Sequence, residues 1–449
     1  MTSSPARHHE RGITRQVLVM TSTSALSLLA LFLTDILTLA YVSLLQDETA
    51  TAAVGIGKTL SFIATILVTS VALAAGSVVS QHAGRGHRRL LPLLARQSLG
   101  VALVVAGIVA ALEASWLDTV VTWLGPEAGV DGTARVYLQV TLLSIIPIAL
   151  TQTTAQMLRA VGEPRWALAV VMALALSLAL IDPVLIFVLD LQLLGAAFSA
   201  VIAGCLASAF GIWRVQRRIG LRGSRRRGVL SAFLARISRM AAPYALAHLA
   251  TPVSLGFTLG HLATYGVSVM AAMALMDRLL QIGYSFYFAL PTALVPVFSL
   301  LLGRHQRGAF RIALRRAVQC VLGYGLAVWA VLALMVPLLG AWFSLSPPGQ
   351  ALLVDLCRIG LGFWLLIGLD FIAVAVFLSL ERAWWVTFYA WIRATAGTLP
   401  WVWLGEKFFG ASGIMLGMWC GNALVAMASI GTAIWIARRQ GLFSHKARA

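Results

Sequence analysis

The residues best placed to do chemistry in this sequence are acids in costly surroundings. Asp35 lies inside LFLTDILTLAYVSLL and Asp182 inside ALIDPVLIF, each within a long apolar run. A charged side chain at the centre of a bilayer costs at least about 2.5 kcal/mol, so such residues are rare and face a bundle interior or a wet cavity. Two carboxyl groups sharing one dry pocket cannot both ionise cheaply. A carboxyl that takes a proton on one side of a membrane and gives it up on the other is a coupling device. Asp35 and Asp182 are the candidates for that role, and the plainer alternative is a carboxyl kept protonated as a structural donor. Pro183, beside the second acid, removes a backbone N–H and leaves free carbonyls nearby. It is the candidate hinge of a helix that bends as its carboxyl changes protonation, against the alternative of an ordinary proline kink.

The elements that must position these residues are long apolar segments. The chain has 449 residues, 60% hydrophobic and 11% charged, with a mean hydropathy of +0.88. A soluble protein of this length could not hide so much apolar surface, so the class is an all-α polytopic membrane protein. Twelve stretches are long enough to cross a hydrocarbon core of about 30 Å. They lie near 17–44, 51–80, 90–111, 133–160, 166–189, 192–213, 238–262, 266–302, 311–336, 352–379, 384–404 and 411–437. They lack the two-residue alternation of barrel strands. The polar, basic start, MTSSPARHHERGITRQ, reads as a tail at 1–16 rather than as a signal peptide, because the apolar run after it is too long for one.

The net charge of +18 suggests nucleic acid until its distribution is considered. Basic residues fall in alternate loops: HAGRGHRR, LRAVGEPR, RVQRRIGLRGSRRRG, GRHQRGAFRIALRR and the terminal ARRQGLFSHKARA. The intervening loops are neutral or acidic, with Glu113, Asp118, Glu127 and Asp131 placed between the third and fourth spans. This is the positive-inside pattern, and it sets both termini in the cytoplasm. The partner of the basic loops is then the anionic bilayer, with no nucleic acid. Cys205, Cys320, Cys357 and Cys420 are scattered in apolar segments and read as small buried hydrophobes, neither disulfide-bonded nor metal-bound. His248 and His261 read as packed rather than liganding. No nucleophile–base arrangement or pore-filter repeat stands out, which argues against an enzyme or a channel.

An internal repeat organises the chain. GRGHRRLLPLLARQ from Gly84 and GRHQRGAFRIALRR from Gly303 are offset by 219 residues, and other segments match at the same or nearly the same offset. The expected domains are an N-lobe at 17–213, a basic linker at 214–237, a C-lobe at 238–437 and a tail at 438–449. Six is even, so the two six-helix lobes enter from the same side and are related by a pseudo-twofold along the membrane normal, as in transporters with parallel repeats. A cleft between such lobes can open to either side in turn. Lys58 and Asp277 occupy equivalent repeat positions. Equivalent positions meet across a twofold, so a Lys58–Asp277 salt bridge is the expected inter-lobe gate, against outward snorkelling of Lys58. Asp370, in IGLDFIAV, is the candidate second cation site. Tyr41, Tyr137, Gln152, Gln156, Tyr284 and Tyr287 are candidate linings of a substrate cavity, against roles in packing or interfacial belts.

These residues together resemble the multidrug and toxic compound extrusion (MATE) family, in its DNA-damage-inducible F-like branch. The resemblance rests on the aspartate of the first span, AGRGHRR, LRAVGEPR, DPVLIF, LGAAFSAVIAG and LVPVFSLLLGRHQRGAFRIALRRA, in that order over nearly the whole chain. It implies twelve helices in two V-arranged lobes, residence in a bacterial cytoplasmic membrane, and export of organic, often cationic, compounds against H⁺ or Na⁺. It needs no cofactor and implies a monomer. It places the coupling acids at Asp35 and Asp182. Where the family commonly has an asparagine four residues before the second acid, this chain has Leu178. Where a threonine commonly follows Gly-Ala-Ala, it has Ser199 and Ala200. Those departures remove neutral oxygen ligands and favour protons over sodium. Asp370, near the position of a helix-ten aspartate in the sodium-coupled branch, keeps Na⁺ coupling as the alternative. A lipid-linked or sugar-conjugate flippase of the same superfamily is a further alternative, and a major-facilitator transporter fits the motifs less well.

Overall fold

The computed structural model describes residues 5–46, 48–123, 132–222, 227–342 and 346–443. Within them the chain is almost entirely helical. The first half runs α1 (Pro5–Ser43), α2 (Glu48–Gly84), α3 (Leu91–Trp123), α4 (Gly132–Leu143), α5 (Ile145–Ala160), α6 (Pro164–Pro183) and α7 (Gln192–Arg218). The second runs α8 (Arg227–His248), α9 (Ala250–Ala263), α10 (Val267–Gly283), α11 (Ser285–Gly303), α12 (Arg307–Trp342), α13 (Pro347–Asp355), α14 (Leu361–Ser379), α15 (Trp384–Ala394) and α16 (Leu399–Arg439). Short interruptions split single crossings into pairs: α4 with α5, α8 with α9, α10 with α11, and α13 with α14.

Ten helical stretches among the described residues are long and apolar enough to span a membrane. One of them, Ala383–Arg439, has 57 residues and reverses at Gly410 (φ 59°, ψ −138°), so it supplies two crossings. The α8–α9 pair supplies the remaining one, and the total is the twelve expected from hydropathy. Every backbone polar group in hydrocarbon needs an internal partner, and the helix is the form in which an isolated apolar segment provides it.

The repeat is visible in the helix boundaries. Shifted by 219, α2 falls on the α10–α11 pair at both ends, and the end of α5 falls on the end of α14. The left-handed residues recur with it: Gly86 (φ 77°) matches His305 (φ 56°), and Gly162 (φ 84°) matches Glu381 (φ 58°). Left-handed backbone disfavours a side chain, so the turn geometry persists in the second half where glycine itself does not. Helix α3 runs past the predicted end of its span, so Glu113 and Asp118 lie on the helix rather than in a loop, and Asp118 forms an ion pair with Arg135 of α4. Glu127 and Asp131 lie outside the described residues, as does part of the arginine-rich linker.

The chain forms two compact units, one of residues 26–241 and one of 1–25 with 242–449. The first packs α2 and α7 against α5, and α6 against α7. In the second, α14 packs on α11, α12 and α16. There the two arms of α16 meet through glycine. Gly405 faces Gly413, Trp401 faces Gly417, and Gly397, just before α16, faces Gly421; a Cβ added at Gly405, Gly413, Gly417 or Gly421 would strike the opposite backbone. Small residues at such four-residue spacing let helices approach where lipid offers no hydrophobic drive to associate. The four cysteines are free; Cys357 is buried, while Cys205 is exposed rather than buried as expected.

A valine at Gly413 is expected to break this hairpin. Its Cβ would lie within 2.8 Å of both the Phe409 side chain and the Gly405 backbone. Helix backbones cannot yield cheaply, so the loss should be about 3 kcal/mol or more. The check is thermal unfolding of purified Gly413→Val in detergent, beside Gly431→Val, where nothing lies within 4 Å of the added atom. Only the first should fall sharply in melting temperature.

Candidate functional site

Asp182 sits in the last turn of α6 and is 1% exposed. Pro183 follows it and has no N–H to return to the carbonyl of Ala179 one turn back. The helix does not simply stop there. It widens into a π-helical turn, Val184–Val188, closed by Leu189 N–H on the Val184 carbonyl at 2.9 Å and Leu191 N–H on the Leu185 carbonyl at 3.1 Å. Single π-turns inside membrane helices are frequent at functional sites. Gly195 of α7 presses on this turn so closely that a Cβ would lie 2.7 Å from the carbonyl carbon of Leu185. One helical turn further, Ser199 therefore faces Asp182.

Two hydroxyl groups hold the buried carboxyl. Thr38 of α1 donates to Asp182 Oδ2 at 2.6 Å, and Ser199 donates to Oδ1. The Ser199 hydroxyl also lies 3.0 Å from the carbonyl oxygen of Ala196. A hydroxyl has one proton and two lone pairs. It can give its proton to an ionised carboxylate, or turn it to Ala196 and accept from a protonated carboxyl. The site is thus satisfied in both protonation states.

Asp35 lies one turn before Thr38 on α1, in unlike surroundings. Its side chain is 64% exposed and that of Lys58, on α2, is 37% exposed. The Lys58 ammonium lies 3.0 Å from Asp35 Oδ1 and 2.8 Å from the Asp35 backbone carbonyl. The single dry pocket expected for both acids holds only Asp182. Helix α1 links the two, presenting Asp35 to Lys58 and Thr38 to Asp182.

Other expected residues are placed differently from the sequence reading. Of the two residues expected at an inter-lobe gate, Lys58 pairs with Asp35 in its own unit, and Asp277 accepts from the Gln281 side-chain amide at 2.6 Å within its own helix. Asp370 is buried but already neutralised by an ion pair with Arg393 of α15, so a second cation would have to displace a guanidinium. Tyr137, Gln156, Tyr284 and Tyr287 are buried in their units rather than lining an open cavity. Tyr137 belongs to an apolar cluster with Val42, Val54 and Ile186. Tyr287 donates to the Val321 carbonyl at 2.9 Å and packs at a tilt against Tyr284, which contacts Trp364. Gln152 and Tyr41 are half-buried, Tyr41 edge-on to Phe187 with centroids 6.3 Å apart.

Sequence reasoning missed several partners. Thr38 carried no signal beyond being a hydroxyl near an acid. Arg393 was detectable, being an arginine within an apolar span. Arg159, inside LRAVGEPR, is buried with its guanidinium 3.5 Å from the Ser27 hydroxyl. His261, expected to be merely packed, contacts the Glu406 carboxylate at 2.6 Å. Ser199, counted as a lost ligand, supplies a hydroxyl after all, which removes one argument for protons over sodium.

Removing that hydroxyl yields a direct test of the site. Ser199→Ala deletes a donor to a carboxylate, and hydrogen bonds to charged groups contribute about 1.5–3 kcal/mol. The ionised carboxyl needs the donor and the protonated one does not. The variant should therefore lose more thermal stability in detergent at pH 8 than at pH 5, relative to the parent at each pH. An equal loss at both would mean that Ser199 serves packing alone.

Comparison with known proteins bears on the fold that carries this site. Residues 23–184 match the MatE family model. A Pseudomonas savastanoi protein described as an uncharacterized 21 kDa protein in the iaaL 5′ region is 28% identical over 244 residues, 52% of this chain and 78% of that protein. A Shewanella oneidensis FAD transporter is 24% identical over 298 residues, 64% of this chain and 66% of its own length. Among solved structures, a point mutant of the Vibrio cholerae MATE transporter VcmN superposes with a TM-score of 0.88 at 22% identity, covering 97% of this chain and 99% of that one. A MATE structure in the straight conformation superposes at 0.87 with 18% identity, covering 98% and 99%. At these identities the structural likeness is one of fold. The MatE model thus matches part of the first half of the chain, and the fold shared with MATE transporters extends over nearly its whole length.

Proposed function

We propose that the protein is a secondary active exporter of organic compounds, driven by proton exchange at Asp182. The observation that carries this reading is the hydrogen bonding of that carboxyl. It is buried, held by the hydroxyls of Thr38 and Ser199, and the Ser199 hydroxyl can reverse onto Ala196. A proton can therefore arrive or leave without stranding a buried polar atom, whose desolvation would otherwise cost about 1–3 kcal/mol. Asp35 and Asp370 are each covered by a basic side chain. Loading of Asp182 on one side and release on the other couples the proton gradient to alternating access. The basic loops put both termini in the cytoplasm of a bacterial cell, with the protein acting as a monomer.

Sodium is the second reading, favoured by the same four oxygens: the two of the Asp182 carboxyl and the hydroxyls of Thr38 and Ser199. They form a thin shell, since the hard cations of well-characterised sites take about six oxygens or more. Substrate class follows the family resemblance, amphipathic organic cations. FAD belongs in the assay panel because the Shewanella relative transports it.

The test is transport in proteoliposomes of a fluorescent organic cation and of FAD, driven in turn by a proton gradient and by a sodium gradient. Wild type should respond to the proton gradient. Asp182→Asn, which can neither bind nor release a proton, should lose at least about 95% of that flux if this carboxyl is the exchange site. Asp35→Asn should lose less. Sodium-driven flux, or an unimpaired Asp182→Asn, rejects the proton assignment.

A further inference from the structure

We infer that Lys58 is a tethered cation that occupies Asp35 in place of a soluble one, and so sets how tightly the site admits cationic substrate. This deepens the transport reading and rests on it only for the identity of the site. The ammonium makes two contacts on α1, at 3.0 Å to the Asp35 carboxylate and 2.8 Å to the Asp35 backbone carbonyl. A ligand with one positive charge would seek the same pair of oxygens. Asp35 is open enough for such a ligand to reach, at 64% exposure. Helix α2 carries Lys58 to this position by packing tightly on α4: Gly57, the preceding residue, lies so close to Tyr137 that a Cβ would be 3.1 Å from its ring.

Attachment to the chain makes the ammonium a strong competitor. A tethered group acts at an effective concentration on the order of millimolar or more, whatever the composition of the solvent. A soluble cation must displace it, and displacement is feasible because a lysine ammonium is a point charge on a flexible stem. Arg393 on Asp370 is the contrasting arrangement, a planar guanidinium against a carboxylate that is itself buried. The choice of residue is conspicuous, because the whole chain has only three lysines (Lys58, Lys407 and Lys446) among its 34 basic residues.

The experiment is fluorescence anisotropy of rhodamine 6G, a lipophilic cation, with the purified full-length protein in detergent. Lys58→Gln should bind it about threefold or more tighter than wild type, as the competitor and its positive charge are removed. Lys58→Arg should bind no tighter than wild type, because it keeps the positive charge and holds the carboxylate with a forked guanidinium. The double variant with Asp35→Asn should lose the gain. Wild-type affinity in Lys58→Gln, or a gain that survives Asp35→Asn, overturns the inference. Should Lys58→Gln fail to fold, amine-reactive labelling followed by peptide mass spectrometry replaces it. Saturating rhodamine 6G should speed labelling of Lys58 in wild type, with Lys407 as the internal reference, and an unchanged rate overturns the proposal. These readouts are binding and labelling, so they stand or fall separately from Asp182→Asn, which addresses coupling.

Discussion

The structure of the first unit turns on keeping one carboxyl dry and satisfied. Asp182 draws on three helices: its own α6, α1 through Thr38 and α7 through Ser199. None of these contacts is independent. Ser199 faces the acid because Gly195, one turn earlier, lets α7 settle on the π-turn. That turn exists because Pro183 cannot complete the helical ladder. Buried polar networks of this kind specify a unique arrangement when every member is satisfied and are costly when one is not. A change in the protonation of Asp182 is therefore felt at once by α1 and α7. Mechanical coupling needs no longer path than a pair of hydroxyl groups.

The surrounding scaffold shows how such a site is afforded in lipid. Helix association there depends on close packing rather than on exclusion of water. Glycine does this work repeatedly: at Gly57 beneath Tyr137, at Gly195 on the π-turn, and along the two arms of α16. The duplicated half inherits the helix boundaries and the left-handed turns, even with His305 and Glu381 in place of glycine. What it does not inherit is the acid pair. Evolution of the two halves has preserved the shape and let the charges diverge.

Much of this was legible in the chain itself. Twelve crossings, the offset of 219 and the singular status of Asp182–Pro183 follow from hydropathy, self-similarity and the cost of charge in lipid. The partners of the charges did not follow. The Lys58–Asp277 bridge rests on symmetry, which relates positions without naming the side chain a residue meets in its own unit, where Asp35 lies beside Lys58. Ser199 was discounted for not being a threonine, although one hydroxyl serves a carboxylate as well as another. The tyrosines and Gln156 illustrate a different gap. Polar character within a span signals function or packing equally, and only burial separates the two. Tyr284 and Tyr287 are interior packing, with room made by Gly325 and Gly368 against the Tyr287 ring.

The charges divide into two chemically distinct kinds of pair, and the division has a consequence for how the two halves can behave. Arg393 and Asp370 are a guanidinium on a buried carboxylate, an arrangement that is strongly destabilised when one partner leaves, because the other stays uncompensated in low dielectric. Such a pair holds two spans, α14 and α15, together through any conformational cycle. Lys58 and Asp35 are both substantially exposed, and exposed ion pairs are worth only about 0–1 kcal/mol. That pair can open and close within a cycle at little cost. The half with a fixed pair keeps its internal geometry. Exposed pairs occur in both units, Lys58–Asp35 in one and Arg316–Glu10 in the other, so what sets the first unit apart is the hydroxyl-held carboxyl of Asp182 beside its loose pair.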